Sequence, residues 1–191
     1  MALPAEEMRY SFADALTWGE NERIEIIGGE AFLMAPPLRV HQDVLSALFL
    51  QIGNYLQGKR CRVYPAPFAV RLFEEEGDAP EDVDTLLEPD ITVVCDPGKL
   101  DKYGCRGAPD MVVEILSPST RRHDRVIKYR LYQRAGVREY WIVDPDNKTV
   151  QVFRLEDGRY DAPDVYTSGG VPTALWDDFS VDLARVFTED E

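Results

Sequence analysis

Two apolar runs, each carrying a single acid, set the terms on which this chain can fold. In Met111-Val112-Val113-Glu114-Ile115-Leu116 the acid interrupts the run, and in Glu88-Pro89-Asp90-Ile91-Thr92-Val93-Val94 Asp90 opens it. Both runs read as strands. A carboxylate in an otherwise buried strand is costly unless it is paired, hydrogen-bonded or bound to a metal. Residues two apart on a strand share a face, so Glu114 points with Asp110, Val112 and Leu116, away from Met111, Val113 and Ile115. If the strand after Asp90 is its neighbour, the two carboxylates come close enough to share one Mg²⁺ or Mn²⁺, hard ions that prefer oxygen ligands. Asp110 is a poorer partner, since four strand residues separate it from Glu114 by about 13 Å.

A third residue joins them from the next element. Arg121 to Ala135 reads as a helix, with Ser117-Pro118-Ser119-Thr120 breaking the strand before it and Gly136 ending it. By the 3.6-residue period Asp124, Ile127, Lys128, Leu131 and Ala135 share its inward face. A buried ammonium needs a carboxylate or an anion, and Lys128 could serve either a structural ion pair with Glu114 or a transferring phosphate. Both readings stay open on spacing alone. Asp124, one turn before, is placed to fix the lysine.

Elsewhere the pattern is that of one mixed domain. Ser11 to Trp18 predicts a short helix, and Arg23 to Ala35 a hairpin turning at Gly28-Gly29. His41 to Leu56 has a helical apolar spacing, with Gly58 as its end. A strand is expected over Arg62–Phe73, with Pro65 and Pro67 implying an edge or a bend, and an acidic surface loop over Glu74–Leu87. Asp96 to Pro109 reads as a loop. Glu139–Asp144 and Thr149–Arg154 form an antiparallel hairpin, followed by short strands to the end. Helices at two places among the strands favour an α/β (α+β) fold, a mixed β-sheet flanked by helices, with an N-terminal hairpin and a C-terminal antiparallel extension.

At 191 residues and 45% hydrophobic, a single domain over 1–191 is expected. No apolar run approaches the roughly 20 residues that span a bilayer, and Met1-Ala2-Leu3-Pro4-Ala5-Glu6-Glu7 has no basic region leading into a hydrophobic one. A cytoplasmic protein without membrane association is expected. Cys61, Cys95 and Cys105, odd in number and without C-x-x-C spacing, suggest neither a disulfide framework nor a zinc knuckle. The net charge of −14 argues against nucleic-acid binding through general electrostatics. Acids concentrate in 74–90 and the tail. Between Arg121 and Arg138, however, only Asp124 offsets seven basic residues, so Arg121, Arg122 and Arg125 are candidate phosphate contacts, with a solvated helix face as the plainer reading.

The run from Gly107 through Glu114 to Thr120, then Asp124, Lys128, Tyr132 and Gly136-Val137-Arg138-Glu139-Tyr140-Trp141-Ile142-Val143-Asp144-Pro145, resembles the Uma-type family of restriction-endonuclease-like proteins. The likeness extends to Ile26-Ile27-Gly28-Gly29-Glu30, to His41 and to Pro89-Asp90. It implies the PD-(D/E)XK nuclease fold, a Mg²⁺ (or Mn²⁺) site, DNA phosphodiester hydrolysis and, by analogy, a homodimer. Pro89-Asp90 resembles the first motif and Glu114 the acid of the second. Leu116 stands where the family pattern expects lysine, so Lys128 would replace it from the helix. His41 and Glu30 match recurrent family positions that approach the same cleft. The expected activity is a Mg²⁺-dependent endonuclease, with Asp90, Glu114 and Lys128 catalytic and Asp124, His41 and Glu30 supporting. Its alternatives are a non-catalytic interaction module of the same fold and a phosphodiesterase for a smaller substrate.

Overall fold

In the computed structural model, residues 8–19, 22–118 and 121–188 are described. Helix α1 (Phe12–Ala15) opens at Ser11, whose N–H and hydroxyl both donate to Asp14. Strands β1 (Ile24–Ile27) and β2 (Glu30–Leu33) turn at Gly28 and Gly29, with φ of 55° and 84°. Two successive positive φ values match the right-handed twist of a two-residue hairpin. Helix α2 (Arg39–Leu56) follows and buries Val44, Leu45, Leu48, Ile52 and Leu56, the spacing legible in its sequence.

The strand expected over 62–73 is two strands. β3 (Arg62–Pro65) and β4 (Val70–Arg71) lie in different sheets, parted at Pro65-Ala66-Pro67. Proline lacks the N–H that a ladder needs and fixes φ, which confines β3 to an edge and breaks the strand after it. The surface loop expected over 74–87 is exposed through 75–82 and again at Asp84. Val83, Thr85, Leu86 and Leu87 are buried, and β5 (Leu86–Leu87) pairs with both β1 and β4. Strand β6 (Ile91–Val94) is as expected, but the loop after it contains a small hairpin of β7 (Leu100–Asp101) and β8 (Gly104–Arg106).

Strand β9 (Met111–Ile115) leads into a π-helical turn, His123–Lys128, continued by α3 (Tyr129–Ala135) and ended by Gly136 at φ 88°. The candidate caps Ser119 and Thr120 lie outside the described residues. Strands β10 (Glu139–Asp144) and β11 (Thr149–Glu156) form the expected hairpin. β12 (Arg159–Tyr160), β13 (Asp164–Tyr166), β14 (Gly170–Pro172), β15 (Ser180–Asp182) and helix α4 (Leu183–Val186) complete the C-terminal extension.

The architecture is mixed α+β. One sheet has the order β2-β1-β5-β4-β8-β7; the other runs β12-β11-β10-β9-β6-β3, with β13 also on β11. In the second sheet β9 and β10 are parallel and joined through the helix, while β6 and β9 are antiparallel. Strand alternation sorts the core onto two faces. Met111, Val113 and Ile115 pack with α2, Trp141 and the C-terminal segment, whereas Val112 and Leu116 pack with Tyr132, Tyr140 and the first sheet.

One sequence reading fails here: Cys61 and Cys95 form a disulfide. Arg62 lies opposite Val94 in the β3–β6 ladder, so the two cysteines just outside it face each other, a pairing fixed by register and invisible in the spacing of 34 residues. Cys105 is buried and free, and burial pushes its thiol up to about 12. Among the described residues no helix is long and apolar enough to cross a membrane.

Leu48 is fully buried between α2 and the sheet. Leu48→Ala is expected to lower unfolding free energy by about 2–5 kcal/mol, through lost burial and a residual cavity. Urea denaturation should show a lower midpoint with an unchanged slope.

Candidate active site

The antiparallel register of β6 and β9 sets Ile91 against Val113, and one step further places Asp90 across from Glu114. At this open end the Asp90 carboxylate replaces the strand: its Oδ2 accepts the Ile115 N–H at 2.7 Å and lies 3.2 Å from His41 Nε2. Glu114 Oε1 accepts from Lys128 Nζ at 3.0 Å and from the Tyr132 hydroxyl at 2.7 Å. Asp110, by contrast, accepts the Cys95 N–H and lies 3.4 Å from Arg138, outside this group.

Lys128 reaches Glu114 from a π-helical turn. The Tyr129 N–H donates to the Asp124 carbonyl, five residues back rather than four, which widens the turn and rotates the residues along it. Asp124 and Lys128 are thereby buried together, and Tyr132 after them. Ile127, assigned to the inward face by a regular 3.6-residue period, is instead 38% exposed. The Tyr140 hydroxyl donates to the same Asp124 carbonyl and ties the turn to the sheet.

Lys128 Nζ has two further carboxylates: Glu25 Oε1 at 2.8 Å and Asp124 Oδ1 at 3.7 Å. Glu25 comes from β1, and the same oxygen accepts the Glu88 N–H at 2.9 Å, holding the hairpin against the segment that leads to Asp90. No sequence argument had singled it out. The signal was present, because Ile24-Glu25-Ile26-Ile27 sets an acid in an apolar strand just as the run around Glu114 does. The four side chains Glu25, Glu114, Asp124 and Lys128 are all at most 5% exposed.

The charges in this group do not balance. Burial raises Glu114 well above the ordinary glutamate value; Lys128 opposes that, while Asp124, Asp90 and Glu25 push it further up. Burial alone would lower Lys128, but Glu114, Glu25 and Asp124 outweigh it and hold the ammonium above its ordinary value. One lysine thus serves several carboxylates, and the excess negative charge suits a divalent cation. Among the described residues no three His, Cys, Asp or Glu side chains are gathered as a complete ligand set. Mg²⁺ commonly takes only one or two carboxylates and completes its shell with water and phosphate oxygens, so the oxygen pair Asp90 and Glu114 fits it.

A cleft of about 280 Å³ opens onto His41, Asp90, Glu114, Asp124 and Lys128. Its outer wall is the apolar segment from Met34 to Leu38. Glu30 does not reach it: register puts Glu30 opposite Ile27 at the hairpin turn, exposed, while Glu25 takes the inward position. The arginines also differ from expectation. Arg121 and Arg125 lie 3.0 and 3.3 Å from the buried Asp144 Oδ2, and Arg121 also binds Asp146. They fasten the helix to the end of β10; Arg122 is exposed.

An acid at the open end of one strand, an acid in its antiparallel neighbour and a lysine from the following helix, on a mixed sheet, define a nuclease-like fold of the restriction-endonuclease type. Residues 12–183 match the Uma2 family, described as putative restriction endonucleases, and the chain belongs to that family. It is similar to an uncharacterised protein of Synechocystis sp., 26% identical over 145 residues, covering 74% of this chain and 72% of the relative. In fold it is similar to the crystal structure of a putative nuclease of the DUF820 group from Anabaena variabilis. That match has a TM-score of 0.73 at 19% identity and covers 94% of this chain and 98% of the other.

Two outcomes follow from this geometry. Lys128→Met leaves buried carboxylates without their cation and is expected to cost about 3–5 kcal/mol in urea unfolding without added metal. Asp144 is held below its ordinary 3.8: burial would raise it, but hydrogen bonds from Asn147 and the charges of Arg121 and Arg125 outweigh that. A depressed carboxylate contributes stability above its unfolded value and loses it as pH falls through the folded one. The stability gap between wild type and Asp144→Asn should therefore be level above about pH 5, narrow through 3.8 and close as pH falls through the lower folded value.

Proposed function

We propose that the protein is a divalent-metal-dependent endonuclease that hydrolyses DNA phosphodiester bonds, with Asp90, Glu114 and Lys128 as its catalytic residues. The observation that carries this is the convergence of the three at one cleft, with Lys128 supplied from the helix while Leu116, two residues after Glu114, is buried in the core. Asp90 and Glu114 would hold Mg²⁺ or Mn²⁺. Bound there, the ion supplies polarisation of the phosphodiester and a more acidic water.

The chain's own groups do the rest. Lys128 keeps its proton and offers a fixed positive charge to phosphate oxygens, a role that needs no reorganisation during the reaction. Glu25, Asp124 and the Tyr132 hydroxyl orient Lys128 and Glu114. The Ile115 N–H and His41 fix the Asp90 carboxylate, and the apolar wall from Met34 to Leu38 limits water. A homodimer, in which each copy cuts one strand, belongs to this reading by analogy.

A second reading, hydrolysis of a smaller phosphodiester, is favoured by one observation: Arg121 and Arg125, two basic groups of the helical segment, are spent on Asp144 and Asp146. Together with a net charge of −14, this leaves little general attraction for a duplex.

Nicking of supercoiled plasmid with Mg²⁺ tests the main reading. Glu114→Gln and Asp90→Asn, close in shape, are expected each to cut the rate by about 10²-fold or more and to weaken calorimetric Mg²⁺ binding. Full activity in Glu114→Gln would sink it. Turnover of bis(p-nitrophenyl) phosphate without plasmid nicking would favour the second reading.

A further inference from the structure

Behind Lys128 lies a second cavity, of about 160 Å³, lined by Glu25, Phe32, Leu33, Met34, Ala35, His123, Asp124 and Lys128. It sits between the hairpin and the π-helical turn. Glu25 and Phe32 are directly opposed in the β1–β2 ladder and so point to the same face, toward the turn that carries His123. The Phe32 and His123 rings meet edge to face, with centroids 4.9 Å apart.

Two buried polar atoms in this lining have no hydrogen-bond partner: Glu25 Oε2 and His123 Nε2. Glu25 is 1% exposed, and its other oxygen already serves Lys128 and the Glu88 N–H. A buried acceptor left unsatisfied is costly, and such groups in native proteins commonly await a ligand or water. The remainder of the lining is largely apolar.

We propose that this cavity is a nucleobase pocket that takes a single-ring base bearing an exocyclic amine, that is, cytosine, unstacked from its neighbours. This rests on the nuclease reading and names the substrate of that site. Size suits a single ring: a cavity of about 150 Å³ holds one benzene ring, so a pyrimidine fits. Chemistry selects among pyrimidines. The cytosine N4 amine donates to a carboxylate oxygen, as Glu and Asp side chains accept it elsewhere, whereas thymine seated in the same orientation would set its O4 acceptor against Glu25 Oε2. The adjacent N3 and O2 of cytosine accept, matching a neutral imidazole N–H at His123 Nε2. Burial and nearby Lys128 keep His123 below its ordinary value and hence neutral.

The cavity shares Met34, Ala35, Asp124 and Lys128 with the catalytic cleft. A base seated here therefore brings its own phosphate to the carboxylates. A base inside a stacked duplex cannot enter, so the substrate is a single strand or an extruded nucleotide.

The test compares fluorescein-labelled d(C)6 and d(T)6, first by anisotropy in EDTA and then by Mg²⁺-dependent cleavage. Wild type is expected to bind and cut the cytosine strand about tenfold better, with His123→Phe reducing the ratio to within twofold of one. Equal binding of the two strands, or binding of neither, overturns the pocket whatever the variant does. Equal binding together with Mg²⁺-dependent cleavage of both would do so while leaving the nuclease reading intact. A cytosine preference in binding without cleavage of either strand would support the pocket and sink the nuclease reading.

Discussion

The ammonium of Lys128 is the tie on which the rest depends. It joins three separate pieces of chain: Glu25 on the hairpin, Glu114 on a central strand and Asp124 on its own helical turn. Replacing such a group by well-packed apolar residues is often neutral or stabilising, so stability alone does not explain its presence. What it provides is placement. The hairpin that carries Glu25 also carries the wall of the cleft, and the strand that carries Glu114 sets the register of Asp90. A single buried charge thus aligns the two sheets around the cleft.

The parts of the fold that were legible were those with a local cause. Gly28-Gly29 announced a hairpin because two positive φ values are cheap only for glycine, and α2 announced itself through one wide apolar face. The parts that were not legible depend on partners distant in sequence. Strands of two or three residues, such as β4, β5, β7 and β8, have no period to read and form only because a neighbouring edge accepts them. The Cys61–Cys95 bond likewise needs the β3–β6 register before its geometry exists.

The site divides along the same line. Cost arguments found Asp90, Glu114 and Lys128, because an acid in a buried strand or a lysine on an inward face calls for an explanation wherever its partner lies. The same argument applied to Ile24-Glu25-Ile26-Ile27 points to Glu25, whereas Glu30, a recurrent position in the family pattern, is left at the turn by register. The inward placing of Lys128 was reached through a regular helical period, yet the turn is π-helical and turns Ile127 outward. Lys128 and Asp124 still lie on one face, since spacings of four and of five residues both bring i and i+4 close.

The basic segment from Arg121 to Arg138 shows how a charge count misleads when partners are unseen. Arg121 and Arg125 look like a phosphate patch in sequence because Asp144 and Asp146 lie some twenty residues away, at the end of the strand to which the helix returns. Once those pairs form, the helix presents far less free positive charge. Within the cleft the positive charge beside Asp90 and Glu114 comes from Lys128, which is deeply buried, and from Arg23 in the lining. A phosphate can use that charge only by entering the cleft. On the proposed nuclease reading, burial of the lysine and pairing of Arg121 and Arg125 favour a flexible, locally unstacked substrate over one held along its length by surface electrostatics.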